Sequence, residues 1–247
     1  MADIVSLRDV YRFFGKGPGE TAVRRGIDLQ VAEGEFVCVM GPSGSGKSTL
    51  LHVISGLDQP SAGSVVLAGR ELERLSPAER TLLRRRTIGY VFQFFNLLPN
   101  LTVEENVGLP LMIAGRRPED EAERLRGLLE RFGVADRARH LPHQLSGGQM
   151  QHTSIARALA ADQPLLLCDE PTGNLSQKAG RQVMETLRRV ADEEEKSVLL
   201  VTHNPRDACY ADRVLFLVDG ELQREPVLRG PGLAVEAVHE ALGALSI

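Results

Sequence analysis

The segment Gly41-Pro42-Ser43-Gly44-Ser45-Gly46-Lys47-Ser48-Thr49 combines glycines with a lysine and hydroxyls. Glycines let a backbone bend until several N–H groups converge on one anion. A helix that follows adds its positive end to that field. The spacing G-x-x-x-x-G-K-S suits a nucleoside triphosphate: Lys47 would reach the β- and γ-phosphates, and the Ser48 hydroxyl would ligate Mg2+. Further along, the apolar run Leu165-Leu166-Leu167-Cys168 ends in Asp169-Glu170. Beside a phosphate loop, the first carboxylate helps hold Mg2+ and the second polarises a water for attack on the γ-phosphate. Alone, such an acidic pair is an ordinary exposed strand end. A third element is Leu145-Ser146-Gly147-Gly148-Gln149. Ser146 suits the cap of a helix over 147–161. Two glycines in the first turn weaken that helix by roughly 1 kcal/mol each relative to alanine. The weakness makes sense if an anion must approach bare N–H groups there.

These residues need a scaffold, and the flanking patterns supply one. Phe36-Val37-Cys38-Val39-Met40 is a continuous apolar run between Gly34 and Gly41, as in a strand covered on both faces. A helix is expected over 47–55, and strands over 64–67 and 88–92. Ser76-Pro77-Ala78-Glu79 carries a cap, a first-position proline and a glutamate three residues after the cap, so a helix begins there. Residues 94–161 read as helical, notably 118–132 and 147–161, with no convincing strand. They form an all-helical insertion between two strands of a parallel-sheet part. Alternation then resumes: strands at 165–168, 197–202 and 213–218, and a helix at 177–191. Asp219-Gly220 is a hairpin signal leading into Glu221-Leu222-Gln223. A short amphipathic stretch over 233–245 follows in the tail.

The 247-residue chain is long enough to bury a core without disulfides or a structural metal. At 43% hydrophobic and 25% charged it is neither disordered nor membrane-embedded by composition. With 29 basic and 33 acidic residues it has no electrostatic footprint for nucleic acid, and no nucleic-acid partner is expected. No uncharged apolar stretch approaches the ~18–20 residues that span a bilayer. The first eight residues lack the pattern of a secretory leader. Cys38, Cys168 and Cys209 are widely separated and read as buried reduced thiols of a cytosolic protein. Arg84-Arg85-Arg86 is expected on a solvated face. Asp192-Glu193-Glu194-Glu195 is expected as a solvated turn beyond a helix, because a helix C-terminus disfavours negative charge.

In this order and at these separations the three motifs resemble the nucleotide-binding subunit of an ABC transporter, over about residues 3–225. The resemblance implies an α/β P-loop NTPase core with a mostly parallel sheet, an N-terminal antiparallel β part and an inserted α-helical subdomain. It implies one nucleotide-binding domain over 1–225, with 94–161 as the insert. The tail 226–247 has no counterpart and either docks on the body or meets a partner. It implies ATP and Mg2+ as ligands. Residues 41–49 and the signature Ser146, Gly147, Gly148 and Gln149 bind nucleotide. Ser48, Gln93 and Asp169 surround the metal, and Glu170 acts as base with Lys47, Gln93 and His203. Gln93 matches the family's metal- and water-sensing glutamine. His203, in Val201-Thr202-His203-Asn204-Pro205, matches its switch histidine. Tyr11, Phe13 and Phe14 compete to stack on adenine, and Phe14 fits best counting back from Gly26-Ile27-Asp28-Leu29.

In the family two copies pair head to tail, so that the signature helix of one faces the γ-phosphate held by the other. The resemblance thus implies a second ATPase subunit, integral membrane permease subunits and a place on the cytoplasmic face of the membrane. Phe94, Phe95, Leu97 and Leu98 are apolar candidates to receive a permease helix. Phe92-Gln93-Phe94-Phe95-Asn96-Leu97-Leu98-Pro99, Leu101 to Val107 and Leu109-Pro110-Leu111 look most like the lipoprotein-releasing and macrolide-export group (LolD/MacB). They are also similar to the cell-division relative FtsE, which implies the alternative of an ATPase regulating a cell-envelope enzyme through a membrane partner. Two positions depart from the pattern: His152 stands where an arginine is usual, and Ser176 where an aspartate is usual. They imply hydrolysis that is slower or less tightly coupled.

Overall fold

The computed structural model describes residues 2–14 and 21–246. Its centre is a sheet of buried strands: β3 (Phe36–Met40), β6 (Ile88–Val91), β7 (Leu165–Asp169), β8 (Ser197–Thr202) and β9 (Arg213–Val218). The order β9-β3-β8-β7-β6 is parallel throughout. Alternate side chains leave opposite faces of each strand. Cys38, Met40, Leu166, Cys168, Val198 and Leu200 enter one core, and Val37, Val39, Leu165, Leu167, Leu199 and Val201 enter the other. Both faces are covered, which is why these strands read as unbroken apolar runs.

One face packs against helix α1 (Lys47–Ile54) and a smaller antiparallel sheet. That sheet runs β2-β1-β4-β5, from β1 (Asp3–Phe14), β2 (Thr21–Ala32), β4 (Ala62–Leu67) and β5 (Arg70–Glu71). Helix α2 (Pro77–Thr87) starts at the expected capping box, with Ser76 and Glu79 satisfying each other's backbone N–H groups.

The other face carries α3 (Val103–Ile113), α4 (Ala122–Arg131), α5 (Gly147–Leu159) and α6 (Gln177–Glu194). Helices α3 to α5 lie between β6 and β7 in sequence, and no strand interrupts them among the described residues. The helix expected over 118–132 begins as a single 3-10 turn, Pro118–Glu121, before α4.

The acidic run corrects the sequence reading: α6 continues through Glu194 instead of ending at Ala191. Arg188 forks onto Asp192 at 2.6 and 3.0 Å, and Arg131 pairs with Glu194. These partners offset the unfavourable end of the helix dipole, a cost of about 0.3–1 kcal/mol. Glu195, at φ 52°, then terminates the helix.

Beyond β8, the short helix α7 (Pro205–Ala208) precedes β9. Asp219 and Gly220 both have positive φ, and β10 (Glu221–Leu222) folds back on β9 as the hairpin signal requires. The tail docks on the body. β11 (Leu228–Arg229) pairs with β9, and α8 (Val235–Ala244) buries Val238 and Ala241 in the helical-face core. Cys38 and Cys168 are buried free thiols on β3 and β7 as expected, whereas Cys209, which follows α7, is partly exposed.

Candidate active site

β3 is buried to its last residue, so the chain leaves the sheet abruptly at Gly41. A Cβ there would come within 2.1 Å of the Leu217 carbonyl oxygen, so only glycine fits. Gly46, at φ 94°, caps α1 without offering a side chain to its N–H groups. The first turn of α1 therefore presents unsatisfied donors at the positive end of the helix. Ser45 Oγ is buried beside this loop without a hydrogen-bond partner among the described residues. Lys47 is only 7% exposed, and its Nζ donates to the carbonyls of Gly41 at 2.9 Å and Pro42 at 3.0 Å.

The two carboxylates are consecutive at the end of β7, and the pairing of β7 with β8, Asp169 opposite Val201, sets them beside the end of β8. Ser48 Oγ donates to Asp169 Oδ1 at 3.1 Å. Burial pushes the Asp169 carboxyl above its ordinary range, and the Ser48 bond opposes that rise. Glu170 takes a left-handed conformation, φ 46°, at the end of the strand. Its Oε2 accepts from Thr202 Oγ1 at 3.0 Å and from the His203 N–H at 3.3 Å. Its Oε1 lies 2.9 Å from His203 Nδ1 and 3.5 Å from Lys47 Nζ. Lys47 and His203, far apart in sequence, thus meet on the one carboxylate of Glu170.

Gln93 follows β6. Its carbonyl accepts from Asn174 Nδ2 at 3.0 Å, and a Cβ added at Gly173 would come within 2.8 Å of its Nε2. The Gln93 amide thus covers the loop that follows Glu170. Phe14 ends β1, and its side chain lies outside the described residues.

Ser146 caps α5 in a capping box with Gln149: the Ser146 N–H donates to Gln149 Oε1 at 2.9 Å, and the Gln149 N–H to Ser146 Oγ at 3.3 Å. A Cβ on Gly147 would crowd Leu175 Cδ2 at 3.1 Å, so that glycine has a packing reason of its own. Gly148 is different, since a Cβ there meets only Ala179 at an ordinary 3.4 Å. Among the described residues no hydrogen bond joins 146–149 to 41–49 of the same chain.

Several residues that hold the site escaped the sequence reading. Buried Gln151 donates from Nε2 to the carbonyls of Phe92 at 3.3 Å and Pro171 at 2.8 Å. Arg157 donates to the carbonyls of Phe95 at 2.9 Å and Asn96 at 2.6 Å, two non-glycine residues at positive φ. Thr172 and Asp207 form a buried hydrogen bond behind Glu170. At the two departures, Ser176 caps α6, and burial, aided by the Arg189 charge, holds the His152 pKa below its ordinary value. His152 therefore does not reproduce the fixed cation usual at its position.

The ABC transporter family profile matches residues 24–173. The lipoprotein-releasing system ATP-binding protein LolD of Geobacter metallireducens is 45% identical over 222 residues, spanning 90% of this chain and 99% of that protein. The macrolide export ATP-binding/permease protein MacB 1/2 of Paracoccus denitrificans is 46% identical over 221 residues, 90% of this chain but 33% of that longer protein. Among solved structures, the ATP-binding cassette MJ0796 of Methanocaldococcus jannaschii, dimeric in a post-hydrolysis state with ADP and Pi, is 42% identical with a TM-score of 0.83. That match covers 92% of this chain and 99% of that one.

Proposed function

The chain belongs to the ABC transporter family, and from that premise we propose that two copies of it hydrolyse ATP between them to drive membrane permease subunits of the lipoprotein-releasing or macrolide-export type. The observation that carries this reading is the junction of Lys47, Glu170 and His203 at the mouth of the glycine loop. The dimeric structure of the similar cassette bound to ADP and Pi, and the names LolD and MacB, support the pairing and the permease.

The loop fits a triphosphate. Unsatisfied α1 donors, the orphaned Ser45 hydroxyl and the Lys47 ammonium point to an anion. Ser48 Oγ and Asp169 Oδ1 are a pair of hard oxygens, the donors Mg2+ takes when phosphates complete its shell. When bound, the ion neutralises charge that develops on the phosphate oxygens. Lys47 would bind the β- and γ-phosphates. Glu170 would take the proton of the attacking water, His203 would orient toward the γ-phosphate, and Gln93 would line the same water. Residues 146–149 would close on the nucleotide of the partner copy, since within one chain they stand apart from it.

No described helix is long and apolar enough to cross a membrane. We place the chain on the cytoplasmic face, held there by the permease. Phe94 is 71% exposed and Leu98 44%, near the end of β6, a surface suited to a permease helix. Phe95 and Leu97 are half-buried and contribute less. The test is co-purification from detergent-solubilised membrane. A permease should accompany the parent chain and be lost from Phe94→Asp; retention by Phe94→Asp would reject the docking surface.

A further inference from the structure

Asp207 lies on α7, outside every motif singled out in the sequence, and it is 3% exposed. Its Oδ2 accepts from Thr172 Oγ1 and lies 3.5 Å from Thr202 Oγ1, while its Oδ1 accepts from Asn204 Nδ2 at 3.1 Å. These partners flank the reacting groups: Thr172 follows Glu170 by two residues, and Thr202 and Asn204 sit on either side of His203. A threonine hydroxyl has one proton to give. Thr202 Oγ1 faces two carboxylates, Glu170 Oε2 at 3.0 Å and Asp207 Oδ2 at 3.5 Å. The Glu170 contact is the shorter of the two, and Asp207 Oδ2 already accepts from Thr172 Oγ1. The Thr202 oxygen is fixed in turn by the Asn204 N–H at 3.1 Å.

We propose that Asp207 is a positioning residue for ATP hydrolysis: through Thr172, Thr202 and Asn204 it locks the loops of Glu170 and His203 together and keeps the Thr202 proton directed at Glu170. Burial pushes its carboxyl up to about 6; the Thr172 bond opposes this and the neighbouring Glu170 charge adds to it. A carboxylate so unfavourably placed is retained at a cost that an apolar residue would avoid. Neither Asp207 nor Thr172 need touch nucleotide for this role.

The inference rests on Glu170 being the base, and Glu170→Gln tests that separately. The experiment is steady-state ATPase on the full chain, normalised to nucleotide-binding sites, with Asp207→Asn, Thr172→Val, Thr172→Ser and the Asp207→Asn/Thr172→Val pair. Loss of one donor to a charged acceptor is about a tenfold effect. Asp207→Asn and Thr172→Val should each lower kcat about tenfold with KM for ATP unchanged. Thr172→Ser should stay within twofold of the parent, and the double variant should be no worse than either single one. A folded Asp207→Asn or Thr172→Val with parental kcat overturns the proposal. So does a Thr172→Ser as impaired as Thr172→Val, or a double variant whose losses multiply. If Asp207→Asn does not fold, the valine–serine comparison at Thr172 decides. If Glu170→Gln abolishes turnover while these variants do not, only the positioning role fails; if Glu170→Gln turns over normally, the underlying reading fails with it.

Discussion

His203 Nδ1 and Glu170 Oε1 lie 2.9 Å apart although 33 positions separate them in the chain. Adjacent parallel strands bring them together: both residues follow the ends of β7 and β8, whose register sets Asp169 opposite Val201. The loops at the C-terminal edge of a parallel sheet are where such sheets assemble their ligand sites.

Replacing Glu170 with Gln keeps the shape and removes the carboxylate that we propose as the base. ATP binding should persist, the ATP-bound dimer should accumulate on size-exclusion chromatography, and phosphate release should fall at least 100-fold, the lower range for a lost general base. Parental phosphate release from Glu170→Gln would refute its assignment.

Lys47→Ala removes the cation that two loop carbonyls hold beside Glu170. A charge-assisted bond to phosphate contributes about 1.5–3 kcal/mol. ATP affinity by equilibrium titration should weaken about 10- to 100-fold, and unchanged affinity would remove Lys47 from the phosphate site.

Gly148→Ala separates stability from function. Its methyl meets only ordinary packing at Ala179 and improves helix propensity by up to ~1 kcal/mol. The melting temperature should hold or rise while ATP-driven dimerisation and turnover fall, because the methyl would stand where a partner's phosphate approaches. Parental turnover in this variant would argue against an anion at the start of α5.

Asp207 gives a pH signature in stability. Its folded-state pKa is raised to about 6, so the folded protein binds a proton more tightly than the unfolded chain does. Stability should therefore rise as pH falls from above 6 toward the ordinary carboxylate value near 4, with this group contributing ~3 kcal/mol. Asp207→Asn should flatten that part of the melting-temperature profile; a profile identical to the parent's would contradict the assignment.

Much of this site was readable before any coordinates. Lys47 stands out because a glycine loop leads to it from an apolar strand, and Asp169 and Glu170 because an apolar strand ends in them beside that loop. The central strands were legible because both faces are buried and no polar residue interrupts them. Asp207 was not legible: an aspartate between Arg206 and Ala208 carries no pattern, and its meaning comes from Thr172, 35 positions away. The pairing of β11 was missed because two residues cannot show periodicity. The end of α6 is set by Arg188, one helical turn before Asp192, and by Arg131 of α4, a tertiary partner that local sequence does not show. The packing role of Gly147 was not legible either, because the Leu175 side chain that crowds its Cβ position is brought there by the fold.

Gln151 holds the carbonyl of Phe92, where the chain departs for the helical lobe, and that of Pro171, which follows Glu170 beyond the end of β7. A single amide of α5 thus joins the segment that follows β6 to the one that follows β7. A swing of α5 therefore pulls on the neighbours of Gln93 and Glu170 in the same stroke, so the lobe's orientation is geared to the placement of both side chains.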